Sequence, residues 1–425
     1  MNKIKSISFI LLLVGLDVSA QNATILPLDT CLSKALEQNK RIKAADFEIE
    51  AAKATKKSVD ANAFPEFDAS LMGIYLGKPL GGGFNGMIPE AIASGSVNAT
   101  IPIYVGGKII NGKAAAAKAI EIYEAQKRMT VADVLLSTKK AYWQIIQVKE
   151  KIELAKKYEL MLAALETDLN NSYNAGLIYK NDLLRVQVSR NEAKLAIEKA
   201  QDGLELAKLN LALLIGLKDI SFDVQDQVVI TLVADATQTE NTVAARPEID
   251  MLNKSIEAME FQRKITRGDN LPTIGLAVSG LGTAGKRVNI KDGSNTMFTY
   301  YGVLSISVPI FDWGKTSNKV KEQSFKIAAQ QEQLENTKEL INLEIQHAEL
   351  MLKQSLRQIE VAEQSLVQAD ENLKLADDRL KSGTIVGKDV QEAQAIWQNA
   401  YSKLIDARIE YMINEATYKK AVGLN

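Results

Sequence analysis

The stretch TIPIYVGGKIIN at residues 100–111 recurs as SVPIFDWGKTSN at residues 307–318, so that the proline, the Gly-Lys pair and the asparagine return after 207 positions. The same offset relates further segments and pairs: AGLIYKNDLL at 175–184 with SGTIVGKDVQ at 382–391, Pro65 with Pro272, and Gly216-Leu217 with Gly423-Leu424. Because one offset serves the whole length, the sequence predicts two copies of one structural unit.

The two units are expected at residues 21–227 and 228–425. Each consists of a helix of about 30 residues, two strands joined by a glycine-rich loop, and a long helical hairpin. The first unit has its helix near 30–61, strands at 66–76 and 96–105, and its hairpin at 108–216; the second has its helix near 243–268, strands at 273–282 and 300–310, and its hairpin at 315–422. No proline lies between Pro102 and Pro247 or after Pro309, which favours uninterrupted helices.

The four expected strands alternate between apolar and small polar residues. In phase across both units, one face is predicted to carry the apolar side chains Val97, Ile101, Ile103, Leu304, Ile306 and Val308. Runs of about ten residues with this alternation are typical of tilted membrane strands. The alternative is a half-buried strand in a soluble sheet, which the scarcity of strands and the length of the helices disfavour.

Composition excludes several classes of protein. The 51 Lys and Arg residues balance 52 Asp and Glu residues, which does not fit the basic surface of a nucleic-acid binder. One histidine, His347, and one cysteine, Cys31, exclude a multi-histidine or cysteine metal site and a Ser-His-Asp site. We therefore expect no catalytic residues, no cofactor and no resident metal, and we expect that the protein is not an enzyme.

The N-terminal residues 1–20 are predicted to be a cleaved signal peptide. Lys3 and Lys5 precede a short apolar run, and Val18-Ser19-Ala20 provides the small residues of a cleavage site. No later stretch approaches 18 apolar residues, so the sequence contains no candidate transmembrane helix. Entry into a membrane would then require a closed β-barrel.

Four strands are too few to close such a barrel, because the smallest transmembrane barrels have about eight. The strands would have to be pooled between subunits. A dimer with eight strands, a trimer with twelve and a tetramer with sixteen all satisfy this requirement.

Several segments in repeated order give the chain its family resemblance. They are LPLDTCLSKALEQN at 26–39, the strand-to-helix junctions at 99–112 and 306–318, and the hairpin tips YNAGLIYKNDLLRVQV and LKSGTIVGKDVQEA. Along nearly its whole mature length the chain resembles TolC-type outer-membrane efflux proteins. The resemblance implies a mainly α fold with a small β part, in which long antiparallel coiled-coil hairpins form an α-barrel in the periplasm and four strands per chain contribute to a 12-stranded transmembrane β-barrel.

The resemblance also implies the partners and the location. They are two further copies in a homotrimer, a periplasmic adaptor (membrane fusion protein), an inner-membrane transporter and outer-membrane lipid, with the protein lying in the outer membrane and extending into the periplasm. The implied function is the outer-membrane channel of a tripartite efflux system. Two alternatives remain at this stage: the outer-membrane component of a type I protein secretion system, and a periplasmic coiled-coil scaffold without a pore.

By the same resemblance, Asp389 and Glu392 would form acidic rings at the periplasmic constriction of the channel. The alternative, compatible with it, is that Asp-x-x-Glu stabilises the start of the returning helix. Asp182 is the counterpart of Asp389 in the first unit, where helix initiation is the favoured role. Arg185, the counterpart of Glu392, is expected to pair with an acid of the neighbouring hairpin when the channel is closed.

The hairpin tips are the expected adaptor contacts, at Gly176, Leu177, Gly383 and Thr384; turn formation alone would also explain the glycines. Ile385 and Leu380 stand where some family members place arginine and tyrosine residues that hold the tip shut. The sequence therefore predicts that the closed state of this chain is not held by those polar links.

Overall fold

The computed structural model describes residues 24–75, 91–225, 243–289 and 291–424. The expected signal peptide lies outside these residues. The described helices are α1 Leu28–Gln38, α2 Lys40–Ala61, α3 Lys108–Asn174, α4 Lys180–Ile215, α5 Pro247–Arg267, α6 Lys315–Lys381 and α7 Gly387–Ala421. Helix dominates and the sheet is small, so the expected fold class is confirmed for the single chain.

Helices α3 and α6 contain 67 residues each. At 1.5 Å per residue, each is about 100 Å long. Both begin directly after a glycine in the left-handed conformation, Gly107 with φ 75° and Gly314 with φ 77°. Glycine adopts this conformation without a steric penalty, which lets the chain turn sharply from strand into helix.

The first helical segment differs from expectation because it is broken at Asn39. The backbone of Asn39 is extended, with ψ 129°, and its side-chain oxygen accepts a hydrogen bond from Arg41 N at 2.9 Å. Its amide donates to Leu214 O, also at 2.9 Å, at the end of α4. One buried asparagine thus starts α2 and ties it to the first hairpin, a role that hydrophobic periodicity does not reveal.

The four long hairpin helices form a layer in the order α4, α3, α7, α6, while α2 and α5 pack against α3. No helix among the described residues carries an apolar segment long enough to cross a membrane. Besides the expected four strands there are two short ones, β1 Thr24–Leu26 and β4 Phe222–Val224, which pair in parallel. The expectation of only four strands was wrong, because three-residue strands leave no alternating pattern.

The larger sheet is antiparallel, with the order β2-β3-β5-β6. Its strands are β2 Glu66–Tyr75, β3 Ala91–Val105, β5 Thr273–Gly285 and β6 Thr296–Ser307. Strands β3, β5 and β6 extend further toward the loops than expected. Two expected apolar positions need correction at the opposite end.

The first correction concerns Val308. Strand β6 ends at Ser307, so Val308 lies one residue beyond it, directly before Pro309, which has no N–H to donate to a ladder. The second concerns Ile103. The register between β3 and β5 shifts between Pro102 and Tyr104, so Tyr104, not Ile103, lies opposite Ile274. A bulge of this kind interrupts strict alternation.

Arg246 joins the start of α5 to the end of α7. Its side chain is 4% exposed, and its Nη1 donates to the backbone oxygens of Lys420 at 3.1 Å and Ala421 at 2.7 Å. Its Nη2 donates to Glu248 at 2.8 Å and to Glu344 at 3.3 Å. Burial is the largest single influence on Glu248 and by itself would raise its pKa. The hydrogen bond from Arg246, a backbone hydrogen bond and the charges of Arg246 and Lys420 together outweigh it, so the pKa lies below its usual range.

Replacing Arg246 with methionine is expected to destabilise the chain by about 3 kcal/mol, because a half-buried carboxylate and the helix-terminal carbonyls lose their partner. Because the folded-state pKa of Glu248 is lowered, its pair stabilises the protein above pH ~4.3 and loses that effect as the pH falls further. Thermal unfolding followed by circular dichroism should therefore show a difference between wild type and Arg246→Met that shrinks from pH 7 to pH 3. Arg267→Met, at an exposed position at the other end of α5, is the control. A difference between wild type and Arg246→Met that does not depend on pH would contradict the pairing of Arg246 with Glu248.

Candidate functional site: the hairpin tips and the apolar sheet face

The two hairpin tips have the same backbone hydrogen bonds. At the first, Gly176 N donates to Tyr173 O and Leu177 N to Ser172 O, each at 2.9 Å. At the second, Gly383 N donates to Leu380 O at 2.9 Å and Thr384 N to Arg379 O at 3.0 Å. Gly176 and Gly383 have φ values of 75° and 69°, as a helix that ends in this way requires. Leu177 and Thr384 are exposed at the ends of the turns.

The tips differ at Gly387, which sequence reasoning missed. A Cβ atom built on Gly387 would lie 2.6 Å and 2.8 Å from the two methyl carbons of Leu169 on α3. Gly387 is buried, whereas its counterpart in the first hairpin, Lys180, is exposed. The missing side chain lets the start of α7 lie directly on α3. The available signal was a glycine in the first turn of a helix, where the other unit has lysine.

An apolar cluster connects all four helices near the tips. Its buried members are Leu162, Leu165 and Leu169 of α3, Leu183, Val186 and Ala193 of α4, Ala376 of α6, and Val390 and Ala393 of α7. Leu380 and Ile385 pack against this cluster. These two residues therefore contribute apolar contact at the tip.

A groove of about 720 Å³ lies between α4 and α7 directly above the tips. Arg185 and Glu392 both line it, together with Lys388. Across it, Gln391 Nε2 donates to Ser189 Oγ at 2.6 Å. Within the described part of the chain, neither Arg185 nor Glu392 forms an ion pair, so the two charges remain free for another group.

Asp389 stabilises the start of α7, which is the alternative role that the sequence suggested for it. Its carboxylate accepts a hydrogen bond from Val386 N at 3.3 Å, while its side chain is exposed. Asp182 occupies the same position in the first turn of α4 and is half-buried. The role of Asp389 at the helix start leaves its charge exposed, so both interpretations remain compatible.

The first hairpin is clamped by Arg190 on α4, whose Nε donates to Glu159 at 2.7 Å and whose Nη1 donates to Glu166 at 2.9 Å. The hydrogen bond from Arg190 lowers the pKa of Glu166. In the second hairpin, the indole N–H of Trp397 donates to Asp370 and Arg408 donates to Glu363. Each hairpin thus has its own polar link, in addition to the shared apolar cluster.

The second candidate surface is one face of the β2-β3-β5-β6 sheet. The register places apolar or small residues opposite one another across all four strands: Phe67, Ala69 and Leu71; Gly95, Val97, Ala99 and Ile101; Ile274, Leu276, Val278, Gly280 and Gly282; Phe298, Tyr300, Gly302, Leu304 and Ile306. The side chain of Leu71 is 93% exposed and that of Phe298 77%. This face is apolar, and none of the described residues covers it.

The opposite face is mostly polar and hydrogen-bonded. Asn98 donates to Asp68 at 2.7 Å and accepts from Ser279, and Ser70 and Ser96 share a hydrogen bond of 2.8 Å. The sheet is therefore apolar on one face and wettable on the other. Among the described residues, no group of His, Cys, Asp and Glu side chains could hold a metal ion.

Comparison with known proteins agrees with this architecture. The model of the family described as "Outer membrane efflux protein" matches residues 31–217 and again residues 239–424. Outer membrane protein TolC of Escherichia coli K12 is 23% identical over 332 residues, which cover 72% of this chain and 64% of TolC. Cation efflux system protein CusC of the same strain is 24% identical over 412 residues, covering 93% of this chain and 86% of CusC.

Solved structures of such proteins share the fold. A CusC crystal structure aligns with a TM-score of 0.81 at 18% identity, over 93% of this chain and 91% of CusC. The CmeC outer membrane channel of Campylobacter jejuni aligns with a TM-score of 0.79 at 19% identity, over 93% of this chain and 85% of CmeC. The chain spans about two thirds of the length of TolC and most of the length of CusC and CmeC.

The contact between Gly387 and Leu169 gives a testable coupling. In Gly387→Ala the new methyl group must displace Leu169, at a cost of about 1–3 kcal/mol that exceeds the gain in helix propensity of at most ~1 kcal/mol. Amide hydrogen exchange in residues 380–392 is then expected to be roughly tenfold faster, since ~1.4 kcal/mol is a factor of ten.

Leu169→Ala combined with Gly387→Ala should be more stable than the two single effects predict, because the new methyl group occupies the space that the leucine leaves. Lys180→Ala, at the equivalent exposed position of the first hairpin, is the matched control and should leave the exchange rates unchanged. Strictly additive effects of the two substitutions would contradict the proposed contact.

Proposed function

Because the chain belongs to the outer membrane efflux protein family, we propose that three copies of it form a continuous duct through the outer membrane and the periplasm. The sheet supplies the membrane-spanning part and the hairpins supply the periplasmic part. The observation that carries the proposal is the sheet with one apolar, uncovered face and two outer edges that pair with no other strand among the described residues.

The edges of the sheet argue for assembly. In hydrocarbon, unpaired N–H and C=O groups along β2 and β6 would each cost several kcal/mol. If β6 of one copy pairs with β2 of the next, every strand gains a partner and three copies supply twelve strands. The apolar face then turns to lipid, and the face that carries Asn98, Ser96 and Ser279 turns to water inside the barrel.

The helical layer argues for the same arrangement. Its outer helices carry exposed apolar side chains along much of their length: Leu184, Val188, Leu195, Leu206, Leu209 and Leu213 on α4; Phe325, Leu340, Leu343, Leu350, Val361, Val367 and Leu375 on α6. Packing α4 of one copy against α6 of the next buries both sets. Such a head-to-tail contact closes into a ring only if the rotation between copies fits, as it does in a cyclic trimer.

The tips would form the periplasmic end of the duct. Threefold repetition brings Asp389 and Glu392 of each copy toward one axis, where the carboxylates attract cations and repel anions. Arg185, in the same groove as Glu392, is proposed to pair with an acid of an adjacent hairpin in the closed state. The exposed Leu177 and Thr384 are proposed contacts for a periplasmic adaptor that connects the duct to an inner-membrane transporter.

The membrane role of the sheet is tested by one substitution on each face at the same depth. Val97→Arg points a charge at lipid, at a cost of about 2–4 kcal/mol per copy near the membrane centre. We expect no trimer in the outer-membrane fraction for this variant. The adjacent Ser96→Arg points into the water-filled interior and should fractionate as wild type. Equal fractionation of the two variants would favour the periplasmic scaffold without a pore.

The acidic constriction is tested by single-channel recording in planar bilayers. Asp389→Asn/Glu392→Gln removes both charges and keeps an oxygen that can accept from Val386 N, so the helix start is preserved. We expect the wild type to select cations and the double variant to lose most of that selectivity. Glu37→Gln/Glu48→Gln, an equal charge change at exposed positions of α1 and α2, is the control.

In the same recordings, Arg185→Ala is expected to raise the resting conductance, because an ion pair that holds the tip closed is lost. Unchanged cation selectivity in Asp389→Asn/Glu392→Gln would show that Asp389 and Glu392 do not form the constriction and act only at the helix start. Unchanged resting conductance in Arg185→Ala would contradict the pairing of Arg185.

A further inference from the structure

Charge is distributed unevenly along the sheet. Strands β3, β5 and β6 contain no Lys, Arg, Asp or Glu residue. The turn between β5 and β6, at the end of the sheet remote from the helices, contains Lys286, Arg287 and Lys291 against the single acid Asp292. The three strands without charged residues thus end at a turn that carries three cations.

The backbone of this turn is held by its own hydrogen bonds. Asn295 Oδ1 accepts from Arg287 N at 2.9 Å and supports the left-handed backbone there, with φ 54°. Asn289 Oδ1 accepts from Lys291 N at 3.1 Å, and Gly285 N donates to Asn295 O at 2.9 Å. The three cations thus project from an ordered turn.

None of these cations is used inside the described part of the chain. Lys286, Arg287 and Lys291 are exposed, and none forms an ion pair there. The carboxylate of Asp292 accepts from Ser294 N at 2.9 Å, and the backbone hydrogen bond from Ser294 lowers its pKa. The turn therefore keeps an excess of positive charge that no described acidic residue neutralises by an ion pair.

The length of β5 places this charge relative to a membrane. Its 13 residues extend about 44 Å at 3.4 Å per residue. With a strand tilt of ~40°, this is about 34 Å along the membrane normal, against an apolar band about 25 Å tall. The cations therefore lie just outside the hydrocarbon, at the depth of lipid headgroups, while the acids Glu66 and Asp68 lie at the helix-facing end of the sheet.

We propose that Lys286, Arg287 and Lys291 form a binding surface for the phosphate groups of membrane lipids in the leaflet remote from the helices. The inference rests on the proposed membrane position of the sheet. Lysine and arginine are the side chains that recognise phosphate, and a neutral sugar headgroup would not require three of them. In a trimer the surface occurs three times around the rim of the barrel.

The test measures the thermal midpoint of the full-length trimer in a nonionic detergent, titrated with defined lipids. The probes are lipid A with two phosphates, the same lipid with its phosphates removed, and inorganic phosphate. The variant is Lys286→Gln/Arg287→Gln/Lys291→Gln. The control is Lys40→Gln/Arg41→Gln/Lys57→Gln, which removes equal charge from exposed positions of α2, away from the faces of α4 and α6 that are proposed to meet between copies. The single variant Lys291→Arg keeps the charge.

The wild type should be stabilised by phosphorylated lipid A and far less by its dephosphorylated form. The triple variant should bind phosphorylated lipid A about a hundredfold more weakly, since each cation near an anionic surface contributes about a factor of five. Raising the salt concentration should weaken binding by the wild type. The control variant and Lys291→Arg should behave as wild type.

Equal affinity of the triple variant and the wild type for phosphorylated lipid A would overturn the inference. Stabilisation by inorganic phosphate alone would contradict lipid recognition and indicate a site for free anions. Equal binding of lipid A with and without its phosphates would also contradict the inference and indicate that the protein binds the acyl chains. Conductance of the triple variant in planar bilayers separates the two proposals: unaltered channels with lost lipid binding support both, whereas absence of channels from wild type and variant alike would reject the membrane duct itself.

Discussion

The close packing of α3 is the constraint on which the helical body depends. Helices α1, α2, α4, α5 and α7 all pack against α3. Four of the fifteen residues that α3 buries are alanines: Ala116, Ala125, Ala132 and Ala141. Small side chains at these positions allow the axes of neighbouring helices to approach to about 8 Å. The ion pairs that run beside this packing, such as that between Lys118 and Glu257, are largely exposed and contribute little by comparison.

Much of this arrangement could be predicted from the sequence, because it follows from the repeat of 207 residues, from the spacing of apolar residues and from glycines at turns. The glycines at 107, 176, 314 and 383 adopt left-handed backbone that other residues avoid, so they mark the helix ends in the sequence itself. The break at Asn39 and the bulge after Pro102 could not be predicted in the same way. Each depends on a partner far along the chain, Leu214 for Asn39 and β5 for the bulge, and no local pattern encodes that partner.

In the candidate site, too, features that depend on neighbouring residues could be predicted from the sequence, whereas contacts between distant segments could not. The tip glycines and Asp389 can be identified from the sequence, because the residues that form a turn or start a helix are neighbours along the chain. The shared groove of Arg185 and Glu392, the contact of Gly387 with Leu169, and the apolar packing of Leu380 and Ile385 arise only when the two hairpins lie side by side. The repeat shows that Arg185 and Glu392 occupy corresponding positions, but it does not show which residues of the two hairpins face each other.

The differences between the two units concern the tips most directly. The backbone turns are the same, but exposed Lys180 in one unit is replaced by buried Gly387 in the other, and Arg185 is replaced by Glu392. Two identical hairpins would present the same charge and the same spacing at every position around a closed ring. With these replacements the start of α7 lies directly on Leu169 of α3, and the second hairpin places Glu392 in the shared groove where the first places Arg185. In the proposed trimer, a ring would alternate between two kinds of hairpin, so charge and spacing at the tips would repeat three times rather than six.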